Sequence, residues 1–217
     1  MTQWQGAAII FDLDGVLIDA DAVYERHWKR WAERHGVAFE NVLAVHHGRP
    51  AFQTVEAVAP HLDAAAEADS YNRGLLADPD LSGVVAYPGA HDLVASLPED
   101  RWAIATSATR DIATARLSYL ELPEPGVFVT ADDVARGKPE PDPYLLAATR
   151  LGFEPRRCVV IEDAPAGIAA ARAAGAFVVA VTTTTSPDRL DAADGIIAAL
   201  GDLAVTWDAS LLRVSFD

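Results

Sequence analysis

Two aspartates near the start of the chain have a type and spacing that suit chemistry. Asp12 and Asp14 directly follow the apolar run Ile9-Ile10-Phe11, and a glycine comes next. Successive strand residues point to opposite faces, so carboxylates at i and i+2 project to the same side at the strand's carboxyl end. Two carboxylates that close repel unless a cation lies between them or one keeps a proton. The segment indicates a metal-held nucleophile beside a general acid; the simpler alternative is an exposed turn.

Polar residues follow other predicted strands in the same way. The run Trp102–Ala105 is followed by Thr106, Ser107 and Ala108, and the run Cys158–Ile161 is followed by Glu162-Asp163. A lysine, Lys138, lies between Gly137 and Pro139. Open α/β sheets bind ligands beyond the carboxyl ends of their strands, so we expect these groups to converge on one site. The Thr106 hydroxyl and the N–H groups of Ser107 and Ala108, at the start of a predicted helix, are typical of an anion cradle.

These residue types favour phosphoryl transfer with Mg²⁺. Oxygen ligands from Asp12 and Asp163, a backbone carbonyl, and Glu162 directly or through a water suit an octahedral Mg²⁺. The ion and Lys138 would draw a phosphoryl group towards Asp12 and keep that carboxylate ionised. Asp14, held protonated, would donate to the leaving alkoxide and then deprotonate water. The predicted mechanism is covalent catalysis through an aspartyl-phosphate.

The elements around these residues predict an α/β fold with a parallel sheet flanked by helices. The predicted strands are Ala7–Phe11, Trp102–Thr106, Val127–Val129, Cys158–Ile161 and Phe177–Val181. The predicted helices between them are Asp111–Leu120, Pro141–Gly152 and Ala164–Gly175. The tail Ala204–Phe216 alternates around Asp208-Ala209 and predicts a terminal β-hairpin.

One block breaks the alternation of strands and helices. From about residue 20 to 77 only helical periodicity is present, which predicts a helical cap over residues 19–85 and a core of residues 1–18 and 86–217. We expect hinges near Ala20 and Tyr87. The aromatic stripe of the cap is interpreted as its own core, and its members are Tyr24, Trp28, Trp31 and His35.

The composition limits the partners. The 217 residues include 17 Lys and Arg against 32 Asp and Glu, a net charge of −15, which disfavours binding to nucleic acid or to anionic membranes. An anionic metabolite would need locally concentrated positive charge. The single Cys158 allows no disulfide within the chain, and no signal peptide or membrane span is evident. We expect a cytoplasmic monomer or weak dimer that acts on a small phosphorylated metabolite.

The chain resembles the haloacid dehalogenase superfamily in four segments. These are Asp12-Leu13-Asp14-Gly15-Val16, Ala105-Thr106-Ser107, Gly137-Lys138-Pro139 and Ile161-Glu162-Asp163. The resemblance implies a Rossmann-like core, an inserted helical cap and an Mg²⁺-dependent phosphotransferase mechanism. It further implies that Asp12 is the nucleophile and Asp14 the acid/base. Asp12, the Asp14 main-chain carbonyl and Asp163 would then hold the metal.

Further segments, among them His47-Gly48-Arg49 and Phe128–Val134, look like those of glycerol-3-phosphate and 2-deoxyglucose-6-phosphate phosphatases. Arg49 matches the cap arginine that this group directs at a substrate phosphate or hydroxyl. Val16 departs from the threonine of many phosphatases, which weakens the assignment of a substrate. The resemblance implies an Mg²⁺-dependent hydrolase of a sugar or polyol phosphate monoester.

Three alternatives stay open at this point. A β-phosphoglucomutase-like sugar phosphomutase shares core and cap, but such enzymes carry a cap histidine where Tyr24 stands. A carbon–halogen hydrolase is disfavoured because its chemistry needs no acid at Asp14. A non-catalytic relative would be expected to lack Asp12, Asp14 or Lys138, and the chain has all three.

Overall fold

A six-stranded parallel sheet forms the centre of the molecule. The computed structural model describes residues 2–46, 49–78, 80–208 and 211–216. The strands are β2 (Ala8–Phe11), β5 (Trp102–Ala105), β6 (Val127–Val129), β7 (Cys158–Glu162), β8 (Phe177–Val181) and β9 (Gly195–Ile197). Their order across the sheet is β6-β5-β2-β7-β8-β9. The predicted α/β class and parallel sheet are confirmed.

Helices cover both faces of this sheet. They are α5 (Ala90–Ser96), α6 (Arg110–Tyr119), α7 (Asp142–Leu151) and α8 (Pro165–Ala174). Ile9 and Phe11 of β2 pack into the cluster that contains α5 and α6, whereas Ala8 and Ile10 pack into the cluster that contains α7 and α8. Neighbouring residues of a strand thus go to opposite, equally buried faces, which is why the central strands appear in the sequence as continuous apolar runs.

The register of the sheet brings the ends of three strands to one level. Phe11 of β2 pairs with Ile104 of β5 and with Ile161 of β7. The residues that directly follow these pairs therefore emerge at the same edge of the sheet. That edge carries the polar segments that the sequence placed after each strand.

Between β3 (Ile18–Asp19) and β4 (Val85–Ala86) the residues that the structure describes form four helices, and we call residues 21–77 the helical insertion. The helices are α1 (Asp21–His35), α2 (Phe39–Leu43), α3 (Ala51–Val58) and α4 (Ala64–Ala77). The Trp28 ring stacks on Tyr71 of α4 with centroids 4.0 Å apart, and Trp31 is also buried. The predicted aromatic core of the insertion is confirmed for Trp28 and Trp31.

The tail forms the predicted hairpin, β10 (Ala204–Asp208) and β11 (Leu211–Phe216). The sequence predicts its turn at Asp208-Ala209, and Ala209 lies outside the described residues. The N-terminal strand β1 (Thr2–Gly6) pairs with the other edge of β11 to complete a three-stranded sheet. Within the part of the chain that is described, none of the helices has both the length and the apolar character that crossing a membrane requires.

Candidate active site

Three buried carboxylates meet where β2 and β7 end. Asp12, Glu162 and Asp163 each place a carboxylate oxygen within 4.8 Å of the others. Burial, together with the Glu162 charge, raises the pKa of Asp12 to about 7 and raises the pKa of Asp163 as well. Two of the three carboxyls thus have a pKa above their ordinary range, because burial and the neighbouring carboxylates disfavour their charged forms.

Two observations test whether a divalent cation fits these residues. Among the described residues, the buried Asp163 Oδ1 has no hydrogen-bond partner. Buried polar atoms nearly always have such a partner, so this oxygen calls for an explanation. Gly15 has a φ of +83° and lies so close that a Cβ there would be 2.1 Å from Asp163 Oδ2. An orphaned carboxylate oxygen among hard oxygen donors fits an Mg²⁺-like ion.

Lys138 lies beneath the cluster and supplies its internal positive charge. Its side chain is 1% exposed, and its Nζ is 2.9 Å from Asp12 Oδ1 and 2.7 Å from Glu162 Oε1. Attraction to these two carboxylates outweighs burial and raises the pKa of Lys138, and the ammonium in turn lowers the pKa of Glu162. Lys138 is therefore charged and fixed against Asp12.

The loop after β5 provides hydroxyl groups and backbone donors. Thr106 is buried and its Oγ1 accepts a hydrogen bond from the Ala108 N–H at 3.1 Å. The Ser107 Oγ is buried and, within the described residues, has no hydrogen-bond partner. A single cleft is lined by Asp12, Asp14, Arg49, Thr106, Ser107, Ala108 and Asp163, among others. The structure thus brings seven of the nine predicted site residues to one opening, with Lys138 and Glu162 behind Asp12.

Asp14 is turned towards α1 and α6. Its Oδ1 accepts a hydrogen bond from Nη1 of Arg116 at 2.8 Å, and its Oδ2 accepts one from the Tyr24 hydroxyl at 3.0 Å. Tyr24 therefore belongs to the site and not only to the aromatic core of the insertion in which the sequence pattern placed it.

A family model for haloacid dehalogenase-like hydrolases matches residues 7–175. The chain belongs to this family. The expected resemblance is confirmed, and the match runs from β2 to the end of α8, including every segment that carries the cluster around Asp12.

Relatives of this haloacid dehalogenase-like hydrolase include named phosphatases. It is 43% identical over 202 residues to hexitol phosphatase A of Escherichia coli, covering 91% of this chain and 93% of the relative. It is 35% identical over 196 residues to glycerol-1-phosphate phosphohydrolase 1 of Saccharomyces cerevisiae, covering 84% and 77%. A crystal structure of a hydrolase from Pseudomonas syringae superposes with a TM-score of 0.76 at 28% identity, covering 89% and 94%. The hydrolase is an enzyme that acts on phosphoric monoesters.

In this hydrolase Glu162 is saturated by protein donors. Oε1 accepts from Lys138 Nζ and from the Tyr144 hydroxyl, each at 2.7 Å, and Oε2 accepts from the N–H groups of Asp163 and Ala164 at 2.8 and 3.0 Å. A carboxylate has about four acceptor positions. Direct metal ligation by Glu162 stays a prediction, and the geometry favours a second role in which Glu162 fixes Lys138.

Arg49 lies at the rim of the cleft, exposed, just before α3. Its backbone N–H donates to the carbonyl of His46 at 3.3 Å. The two preceding residues of the matching segment, His47 and Gly48, lie outside the described residues. The insertion thus contributes an arginine to an opening whose other lining residues include acidic, hydroxyl and apolar side chains.

The sequence reasoning missed three residues of the site. Thr184 donates to Asp163 from the loop after β8, and its position at a strand's carboxyl end was an available signal. Tyr144 lies in the first turns of α7 and gave no signal. Arg116 falls three and four residues after Ala113 and Ile112, on the buried face of α6, and a charge on an apolar helix face was the signal that could have found it.

Proposed function

We propose that this hydrolase is an Mg²⁺-dependent phosphatase that cleaves a small sugar or polyol phosphate monoester through an aspartyl-phosphate on Asp12. The observation that carries the proposal is the buried ammonium of Lys138 held against Asp12, at the base of a cleft that is also lined by hydroxyl groups. The names of the relatives, a hexitol phosphatase and a glycerol-1-phosphate phosphohydrolase, support the choice of substrate class.

A bound Mg²⁺ would be held by Asp12, Asp163 and the Asp14 main-chain carbonyl, where it supplies positive charge for the phosphoryl oxygens. Asp12 attacks phosphorus, and the bond from phosphorus to the substrate oxygen breaks as Asp14 donates a proton to that oxygen. Asp14 then takes a proton from water, whose oxygen attacks phosphorus and releases the Asp12 carboxylate and inorganic phosphate.

Groups around Asp12 hold the phosphoryl group during both steps. The Thr106 and Ser107 hydroxyls lie at the same cleft and offer hydrogen-bond donors to its oxygens, and the Ala108 N–H would join them by giving up its bond to Thr106 Oγ1. Lys138 adds charge that is already in place before the substrate arrives, so no reorganisation is needed during the reaction. Glu162 keeps that ammonium at its position.

We further infer that residues 19–85 act as a cap over a core of residues 1–18 and 86–217. Tyr24, Trp28, Arg49 and Asn72 of the insertion line the cleft opposite the phosphoryl site. A cap in that position selects the alcohol part of the substrate and excludes bulk water while the aspartyl-phosphate exists.

A panel of phosphorylated metabolites tests the proposed function. We expect Mg²⁺-dependent release of inorganic phosphate from hexitol phosphates, glycerol phosphates or 2-deoxyglucose 6-phosphate. Release from none of the panel contradicts the proposal. Conversion of β-glucose 1-phosphate to glucose 6-phosphate without phosphate release supports the phosphomutase alternative instead.

Mg²⁺ is expected to raise the midpoint of thermal unfolding more at pH 8 than at pH 6. In the metal-free protein the pKa of Asp12 rises from 3.8 to about 7 because of burial. Between these values the folded protein holds a proton that the unfolded chain has released, so Asp12 costs stability as the pH rises through this window. Below pH 7 the cation must displace that proton.

Scanning fluorimetry with Mg²⁺ or with EDTA at the two pH values measures this effect. Asp163→Asn, which removes the negative charge of one predicted ligand, should reduce the Mg²⁺-dependent shift at pH 8. A shift of equal size at both pH values in the unmodified protein contradicts the assignment of Asp12 as a ligand.

Arg49→Ala is expected to raise KM for a sugar or polyol phosphate by about 10-fold or more, because a charge-assisted hydrogen bond contributes roughly 1.5–3 kcal/mol. Hydrolysis of p-nitrophenyl phosphate should fall less, since this ester lacks the hydroxyls that Arg49 would bind. Steady-state kinetics on both esters measure the difference. Arg73→Ala, which removes an exposed arginine paired with Asp69 on α4, is the matched control. Equal losses on the two esters would remove Arg49 from substrate recognition.

A further inference from the structure

A buried arginine of the core reaches the predicted acid/base. The Arg116 side chain is 2% exposed, and its Nη1 donates to Asp14 Oδ1 at 2.8 Å and to the Tyr24 hydroxyl oxygen at 2.6 Å. The guanidinium centre also lies 4.2 Å from the centroid of the Tyr24 ring. Since the Tyr24 hydroxyl donates to Asp14 Oδ2, each oxygen of the carboxylate is held by a different group.

The position of Arg116 is costly for a residue with a purely structural role. It lies on the buried face of α6 among Ile112, Ala113 and Leu117, where an apolar side chain would pack without losing hydration. Its Nε is buried and has no hydrogen-bond partner among the described residues. A buried ion pair is often no more stable than apolar residues of similar volume. Stability alone therefore does not explain an arginine here.

We propose that Arg116, together with Tyr24, is a positioning residue that fixes the carboxyl group of Asp14 for proton transfer to the leaving group. Contacts to both oxygens prevent rotation of the carboxyl group, and each oxygen keeps a second lone-pair direction for the proton that it transfers. The two contacts come from different parts of the protein, since Arg116 lies on core helix α6 and Tyr24 on α1 of the insertion. The inference rests on the proposed function, because it requires Asp14 to act as the acid/base.

The dependence of the rate on the leaving group distinguishes a role of Arg116 in positioning Asp14 from a purely structural role. Substituted phenyl phosphates have nearly one size but leaving groups of different basicity, and only the basic ones need a proton during bond cleavage. We expect Arg116→Met to lower kcat/KM, which reports only the steps up to phosphoryl transfer to Asp12, by about 10- to 100-fold for the most basic leaving group and by less than about 3-fold for p-nitrophenyl phosphate, since general acid catalysis contributes about 10²- to 10⁴-fold. The plot of log kcat/KM against leaving-group pKa becomes steeper.

Three further variants complete the experiment. Arg116→Lys and Tyr24→Phe each retain part of the network and should give slopes between those of the wild type and Arg116→Met; they decide the outcome if Arg116→Met does not fold. Arg172→Met removes an exposed arginine that pairs with Asp194 on the far side of the core, and it should leave the slope unchanged.

Asp14→Asn separates the failure of this inference from the failure of the proposed function. If Asp14→Asn steepens the slope but folded Arg116 and Tyr24 variants lose kcat/KM equally on all esters, or lose none, the positioning role is wrong. If Asp14→Asn does not steepen the slope, or the wild type hydrolyses none of the esters, the acid/base assignment and the proposed function fail first.

Discussion

Asp12→Asn is expected to reduce turnover of phosphate monoesters by about 10⁴-fold or more, the size of effect seen when a covalent nucleophile is removed. An amide is a poor nucleophile and a weaker metal ligand, and it has the same shape as the carboxylate. The change also removes the negative charge that lies 2.9 Å from Lys138. The loss should appear in kcat on every ester, including those with good leaving groups.

Two measurements make this prediction specific. Acid-quenched wild-type protein mixed with substrate should carry one phosphoryl group by mass spectrometry, and Asp12→Asn protein should carry none. Asp188→Asn, a change at an exposed carboxylate outside the cleft, is the matched control and should retain wild-type turnover. Near-normal activity of Asp12→Asn in the presence of Mg²⁺ would show that another residue is the nucleophile.

Lys138→Met is expected to destabilise the metal-free protein by about 3–5 kcal/mol at pH 8, because it leaves Asp12 and Glu162 buried without a counter-charge. The two carboxyls then have raised pKa values in the folded state, so this destabilisation increases as the pH rises and is smaller at pH 5. Turnover should be lost as well, since the substrate phosphoryl group meets no fixed charge beside Asp12.

Chemical denaturation in EDTA at pH 5 and pH 8 measures this effect, with EDTA present so that a metal ion does not replace the missing charge. Arg172→Met again serves as the control, since an exposed ion pair contributes only about 0–1 kcal/mol. A destabilisation by Lys138→Met that does not change with pH would mean that the buried carboxyls are not what the lysine stabilises.

The central strands were predicted closely because a strand that is buried on both faces consists of consecutive apolar residues, and such a run is visible in the sequence. Val127–Val129 and Phe177–Val181 have the predicted bounds in the structure. The strand β1 was not predicted, since Thr2, Gln3 and Gln5 are polar and its order depends on pairing with β11, some two hundred residues away. The pattern of polar and apolar residues within β1 does not indicate that it pairs with a strand so far away in the sequence.

The site was predictable where its residues follow strands and not where they come from helices. Asp12, Thr106 and Asp163 could be grouped because parallel strands end at one edge of a sheet. Tyr24 shares helical spacing with Trp28, so periodicity alone assigned both to the aromatic core, although the position of α1 over the sheet edge directs Tyr24 to Asp14. That position depends on tertiary packing, which spacing along one helix does not describe.

The short strands β3 and β4 have a mechanical consequence for the insertion. The segments that enter and leave it are paired with each other, Ile18 opposite Ala86 and Asp19 opposite Val85, and the Tyr87 N–H donates to the Leu17 carbonyl at 3.0 Å. Two independent tethers would allow the four helices to swing in many directions. A single paired ribbon would restrict them to rocking about one axis, and we expect such a motion to return Arg49 to the same place at the cleft.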